Sequence, residues 1–190
     1  MRKALLAAFL LAACQPIGSD EPDIVARWDH RSEAAQWNDA MMTALRSEAA
    51  PLLALNPQDA HEFCPAYGEA DETARAAFWV AFFSGLARYE SGWRPEAAGA
   101  GGRYQGLLQI SPATARFHGC DLSAPGGLYD GATNLTCATR IATRAVLRDG
   151  VVATGRGGVA ADWPPMRDPA KRAEIAGFTR SIPACQSQRG

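Results

Sequence analysis

Apolar residues recur at four-residue spacing in the middle of the chain. Phe78, Phe82 and Leu86 fall on one helical face, and Glu90 is the next position of the same series. Trp79 and Phe83 widen the apolar surface beyond one stripe, so the segment from about Asp71 or Glu72 to Glu90 is predicted to be a central helix buried on more than one side. Upstream, Trp37, Met41, Leu45 and Ala49 form a second stripe. It predicts a helix that Ser32 can cap and that runs to about Leu53, perturbed in its last turn by Pro51 and ended by Asn56-Pro57. The stretch 61–68 then reads as a connection carrying Cys64 and Tyr67.

Downstream, Ser111-Pro112 has the form of an N-cap followed by a first-turn proline and predicts a short helix to about His118. Asp130 or Thr133 can open a longer helix to about Arg148. Its Leu135, Ala138 and Ala142 face inward, while Arg140, Arg144 and Arg148 fall on a wet side, open either to solvent or to an anionic ligand. Asp168-Pro169 starts a last helix with Ile175, Phe178 and Ile182 inward. Between the central helix and Ser111, the glycines Gly99, Gly101 and Gly102 precede Tyr104, Leu107, Gln109 and Ile110, which suit a short hairpin or extended wall. With 190 residues and 47% apolar content, the chain can bury one core, which predicts a mainly α, single-domain protein.

Glu90 is the position that carries chemistry. Placed in the last turn of an apolar helix, its carboxylate meets both the negative end of the peptide dipoles and apolar surroundings. Each disfavours ionisation, and a raised pKa is what a general acid requires.

The residues that follow sharpen this reading. Glu90-Ser91, Pro95, the glycines from Gly99 to Gly102, and then Gly106-Leu107-Leu108-Gln109-Ile110-Ser111-Pro112 with Thr114-Ala115 occur in order. This arrangement resembles the catalytic core of the bacterial soluble-type lytic transglycosylases, peptidoglycan-cleaving enzymes, over roughly Ala74 to Leu147. The resemblance implies a mainly α, lysozyme-like single domain of the goose-type lysozyme and transglycosylase kind, with a short extended or hairpin segment beside the cleft. It implies that Glu90 is the catalytic acid, that Ser91 supports it, and that Gly106, Leu107, Gln109 and Ile110 line the sugar cleft. Asn134-Leu135 matches the Asn-Leu pair of a later helix. The chain departs from the family in lacking an Ala-Tyr-Asn element; Gly155 to Pro165 occupies that place and offers Trp163 instead. Substrate contacts are therefore expected from Ser91, Tyr104, Gln109, Asn134 and Trp163. Trp163 reads equally as a sugar-stacking platform or a lid over the core.

The N-terminus changes the expected address. Met1-Arg2-Lys3 is basic, Ala4 to Ala13 is an apolar run of about ten residues, too short to span a bilayer, and Cys14 follows Leu11-Ala12-Ala13. This resembles a lipoprotein leader in which Cys14 is acylated, and Gln15 after it is similar to the outer-membrane sorting pattern. The expected organisation is a signal peptide over 1–13, a lipidated tether over 14–30, the catalytic domain over 31–185 and a loose tail over 186–190. The expected location is the periplasmic side of an outer membrane.

Loss of Arg2 and Lys3 with the leader leaves 17 basic against 20 acidic residues, a net charge of −3. Phosphate binding requires a basic face, so nucleic acid is excluded as a partner. The expected partners are peptidoglycan strands and a membrane reached through the lipid, with the protein itself a monomer. No cofactor is implied. In an oxidising compartment Cys64, Cys120, Cys137 and Cys185 are read as two disulfides. Of three possible pairings, Cys120 with Cys137 and Cys64 with Cys185 are favoured, the first closing a turn-rich loop and the second tying down the C-terminal tail. No CxxC pair or HExxH signature marks a metal site.

A hydrolase of this kind pairs an acid with a second carboxylate, for which Glu96, Asp121 and Asp130 are the candidates. A transglycosylase needs one, because the C6 hydroxyl of N-acetylmuramic acid attacks its own C1 to give a 1,6-anhydro end. A muramidase and a glycan-binding lipoprotein that does not cut are the other two readings.

Overall fold

The computed structural model describes residues 24–186; the expected leader, Cys14 and the last four residues of the expected tail lie outside them. Seven α-helices follow in order: α1 (Ala34–Arg46), α2 (Ala50–Ala54), α3 (Ala60–Phe63), α4 (Glu72–Glu90), α5 (Pro112–His118), α6 (Gly131–Asp149) and α7 (Pro169–Ser181). Between α4 and α5 lie two short strands, β1 (Ala98–Gly99) and β2 (Tyr104–Gln105), paired antiparallel with Ala98 opposite Gln105 and Gly99 opposite Tyr104.

The central helix is α4. Asp71 starts it by accepting a hydrogen bond from the Ala74 amide at 2.8 Å, and every residue from Ala76 to Ala87 is buried. Its aromatic side chains account for this. Phe78, Trp79, Phe82 and Phe83 pack edge-on with one another and with Phe63, Tyr67 and Trp163. Each such ring withdrawn from water stabilises the fold by roughly 1.5–3 kcal/mol. The polar edges are answered: Trp79 Nε1 donates to the Tyr67 hydroxyl at 3.1 Å, and that hydroxyl donates to the Leu52 carbonyl at 3.4 Å.

Helices α1 and α6 lie against each other on another side of the core, with Gly131 allowing the closest approach. A Cβ there would meet Trp37 Nε1 at 2.3 Å. Asp130 caps α6 through the Thr133 amide at 2.8 Å, and Ser111 caps α5 through Thr114 at 3.0 Å. The arginine row of α6 faces outward: Arg140 pairs with Glu48, Arg148 pairs with Asp149, and Arg144 is exposed.

Three local expectations are corrected. The helix foreseen from Ser32 to Leu53 is two helices, broken at Ser47. Proline at 51 has no N–H and clashes with a carbonyl one turn earlier, so a continuous helix cannot pass; the chain turns and restarts with Pro51 in the first turn of α2. The whole stripe Trp37, Met41, Leu45 and Ala49 is nevertheless buried. Ser32 does not cap α1, because its hydroxyl donates to the Glu33 carboxylate instead. Finally, Ala26 to His30, expected in the tether, belong to the folded domain: Ala26 and Trp28 are buried, Trp28 Nε1 donates to Asn38 at 2.8 Å, and the Arg27 amide donates to the Ser84 hydroxyl at 2.8 Å.

The structure contains two disulfides, Cys64–Cys185 and Cys120–Cys137, with sequence separations of 121 and 17. Loop-closure entropy gives the longer span the larger effect, about 4–5 kcal/mol against about 3. Cys64 and Cys185 are also fully buried. Replacing both with alanine is expected to lower unfolding free energy by more than the same change at Cys120 and Cys137. Urea titrations of the two double variants check this; equal losses would contradict it.

Candidate functional site

The site is built at the C-terminal end of α4. The Ser91 amide donates to the Ala87 carbonyl at 3.0 Å, and its buried hydroxyl donates to the same carbonyl at 3.3 Å while accepting from the Arg94 amide at 3.2 Å. Ser91 is thereby a clasp on the end of the helix, its hydroxyl turned to backbone rather than outward. Beyond it the chain reverses through Gly92 and Trp93, both at positive φ (62° and 59°). A tryptophan in this region is strained by roughly 1–2 kcal/mol. It is held there by a 2.8 Å hydrogen bond from its indole to the Ser84 carbonyl and by edge-on packing against His30.

Glu90 is half-buried in the last turn of α4, and one of its oxygens, Oε1, is buried with no hydrogen-bond partner. Its pKa is pushed up from 4.5 to about 7, chiefly by burial and against the opposing pull of the Lys171 ammonium on α7. A carboxyl so placed holds its proton near neutrality and can give it up.

The hairpin wall owes its shape to a few polar side chains. Gln105 and Ile110 exchange backbone hydrogen bonds at 3.0 Å each, folding the chain back just after β2. Gly106, at φ 77°, sits where a Cβ would lie 2.0 Å from the Leu128 carbonyl, so only glycine fits. The Gln109 amide donates to the carbonyls of Ala97 at 3.2 Å and Gly106 at 2.9 Å, lacing the wall internally. Asn134, 0% exposed on α6, accepts from the Leu108 amide and donates to the carbonyls of Gln105 and Leu128, each at 2.9 Å. Trp163, 3% exposed, donates from its indole to the Leu108 carbonyl at 2.9 Å.

The expected sugar contacts therefore divide. Tyr104, 42% exposed on β2, presents an open face, and Gln109 is partly open. Asn134 and Trp163 face inward and position the wall; the stacking role foreseen for Trp163 gives way to the core reading, because neither ring face is free.

Of the possible second carboxylates, Asp130 caps α6, Asp121 accepts from the Ser123 amide at 2.9 Å and Glu96 is exposed on the loop. Among the described residues no cluster of His, Cys, Asp and Glu suits a metal ion, and no helix is long and apolar enough to cross a membrane. Lys171 was not singled out by sequence reasoning. It stands far from Glu90 in the chain, and its charge reaches Glu90 only because α7 packs on α4.

No family model and no curated protein matches the sequence. Solved structures do match. The chain is similar to Bd0314 DslA of Bdellovibrio. Three structures of DslA align with TM-scores of 0.78, 0.75 and 0.74 at 27% identity, covering 86% of this chain and 98% of the DslA chain. The fold shared with DslA is lysozyme-like, a mainly α single domain with a small hairpin near the cleft. Two of the DslA structures carry glutamine in place of glutamate, at glutamates eleven positions apart. In the present chain Gly101 stands eleven positions after Glu90, and no two glutamates have that separation.

The raised pKa of Glu90 has a thermodynamic consequence. Between pH 4.5 and 7 the folded protein keeps a proton that the unfolded chain releases. The stability this represents is present at low pH and is lost as pH rises through about 7. Glu90→Gln removes the dependence. From pH 4.5 to pH 8 the wild type is expected to lose about 3 kcal/mol more unfolding free energy than Glu90→Gln, as read by urea denaturation of both proteins. Parallel pH profiles would contradict the burial of an ionisable Glu90.

Proposed function

We propose that the protein is a peptidoglycan lytic transglycosylase with Glu90 as its general acid and then its base. The observation that carries this reading is the half-buried Glu90 carboxyl, with one oxygen buried and unpartnered, protonated near neutrality and placed where α4 gives way to the hairpin loop. The similarity to DslA, with its two glutamate-to-glutamine variants, supports glutamate-dependent chemistry.

In the proposed reaction Glu90 donates its proton to the glycosidic oxygen between N-acetylmuramic acid and N-acetylglucosamine, and the bond from C1 to that oxygen breaks. The resulting carboxylate faces the cationic C1 and takes the proton of the muramic C6 hydroxyl, whose oxygen closes onto C1. No water is consumed, and Glu90 ends protonated as it began. One carboxylate suffices, which suits a site where Asp130 and Asp121 are engaged in local backbone hydrogen bonds. The exposed face of Tyr104 is the proposed sugar platform. Acylation of Cys14 would hold the domain at the periplasmic side of the outer membrane. The exposed Glu96 on the loop after α4 leaves open a second reading, a muramidase in which Glu96 assists a water molecule.

Glu90→Gln keeps the shape and removes the acid proton. It is expected to bind peptidoglycan while cutting at least ~100-fold more slowly. Glu96→Gln, Asp121→Asn and Asp130→Asn should each retain far more activity. Mass spectrometry of the products should find 1,6-anhydro ends. Reducing muramic ends together with a dead Glu96→Gln would establish the muramidase, and wild type that binds without cutting would make the protein a glycan-binding lipoprotein.

A further inference from the structure

Charged groups surround the last turn of α4, and nearly all of them are engaged elsewhere. Arg88 Nη1 at 2.9 Å and the Tyr89 hydroxyl at 3.0 Å both donate to the Glu174 carboxylate, which also pairs with Arg27 at 2.5 Å. Arg27 lies in addition over the Phe178 ring. Asp29 accepts from the Ala26 amide, Arg94 Nε donates to the Ser91 carbonyl, and His30 rests on Trp93. On the far side of α7, Arg172 pairs with Glu62. Glu96 is exposed on the loop beyond.

Lys171 is the most loosely held of them. It stands in the first turn of α7, three residues before Glu174, so both side chains leave the same side of the helix towards α4. Its ammonium lies 5.5 Å from the centre of the Tyr89 ring, and Tyr89 is the residue before Glu90. The nearest carboxylate, Asp168, is 4.0 Å away and already accepts from the Ala170 and Lys171 amides as the cap of α7. A cation held only by the 4.0 Å pair with Asp168 among the described residues thus lies over the ring of the residue before Glu90, a half-buried acid whose Oε1 has no partner.

We propose that Lys171 is a positioning residue for the candidate acid: its ammonium stabilises the carboxylate that Glu90 becomes on giving up its proton, so that the same group can take a proton back. This rests on the reading of Glu90 as proton donor. A buried acid surrounded only by apolar groups would hold its proton too tightly to deliver it, whereas one paired at short range with a cation would have none to deliver at neutral pH. Lys171 acts from beyond direct contact and places Glu90 between these limits. Arg88 cannot substitute for it, being held on Glu174.

The test uses Lys171→Met, which keeps length and apolar packing, and Lys171→Arg, which keeps the charge. Carbon-13 NMR of glutamate-labelled protein, with the Glu90 signal assigned by its loss in Glu90→Gln, follows the carboxyl without any substrate. In Lys171→Met the midpoint is expected to rise by about 0.5 or more on the pH scale, and in Lys171→Arg to stay near wild type. On peptidoglycan the alkaline limb of kcat/KM should move upward with it. The kcat should fall roughly 3-fold with little change in KM, because the charge acts on proton transfer and not on binding. An unmoved midpoint in folded Lys171→Met overturns the proposal. So does a rise in KM with an unmoved midpoint, which would make Lys171 a substrate contact. If the midpoint moves but no form of the protein cuts peptidoglycan, the role of Lys171 stands and the transglycosylase reading falls.

Discussion

A helix buried around its whole circumference must still come out into water at its ends. Helix α4 is enclosed from Ala76 to Ala87 by rings from α3, its own flanks and the segment around Trp163. Its final carbonyls need donors, and the residues next beyond the core are neither fully dry nor fully wet. Glu90 occupies that zone. The features that make it a candidate acid, partial burial and an unpartnered oxygen, follow from where the core stops. Ser91 and the reversed loop at Trp93 close the helix end and keep it from fraying.

The wall beside the acid is rigid for a different reason. Two strands of two residues each cannot hold themselves together in water. The amide and carbonyl of Leu108 find their partners in Asn134 and Trp163, side chains from two other parts of the chain, and Asn134 gives the carbonyl of Gln105 a second hydrogen bond beside that from Ile110. An unsatisfied buried amide or carbonyl costs about 1–3 kcal/mol, so these polar side chains hold the hairpin at one depth and one angle relative to α4. The adjacent Tyr104 is thereby presented outward from a fixed base.

Helix α7 links these parts over the greatest distance in sequence. Glu174 gathers Arg27, Arg88 and Tyr89, the Thr179 hydroxyl donates to the Phe63 carbonyl at 2.7 Å, and Cys185 is bonded to Cys64 just beyond the helix. The end of the chain is consequently part of the surroundings of an acid that lies near its middle.

Much of this was legible in the residues themselves. The starts of α5, α6 and α7 at Ser111, Asp130 and Asp168 are local signals, as is the stripe that leads to Glu90, because capping and periodicity involve neighbours within one or two turns. The two cystines also match the favoured pairing. What the sequence alone left undecided is which way the larger polar and aromatic side chains turn. Asn134 and Trp163 suit a sugar as well as they suit a backbone amide or carbonyl, and only the position of Leu108 between them commits both to the interior. The packing of Ala26 to His30 and the approach of Lys171 to Glu90 likewise depend on which helices meet. Local order came from short-range chemistry that a single stretch of residues carries; the electrostatics of the acid came from burial and from a charge on another helix, and these exist only once the core has formed.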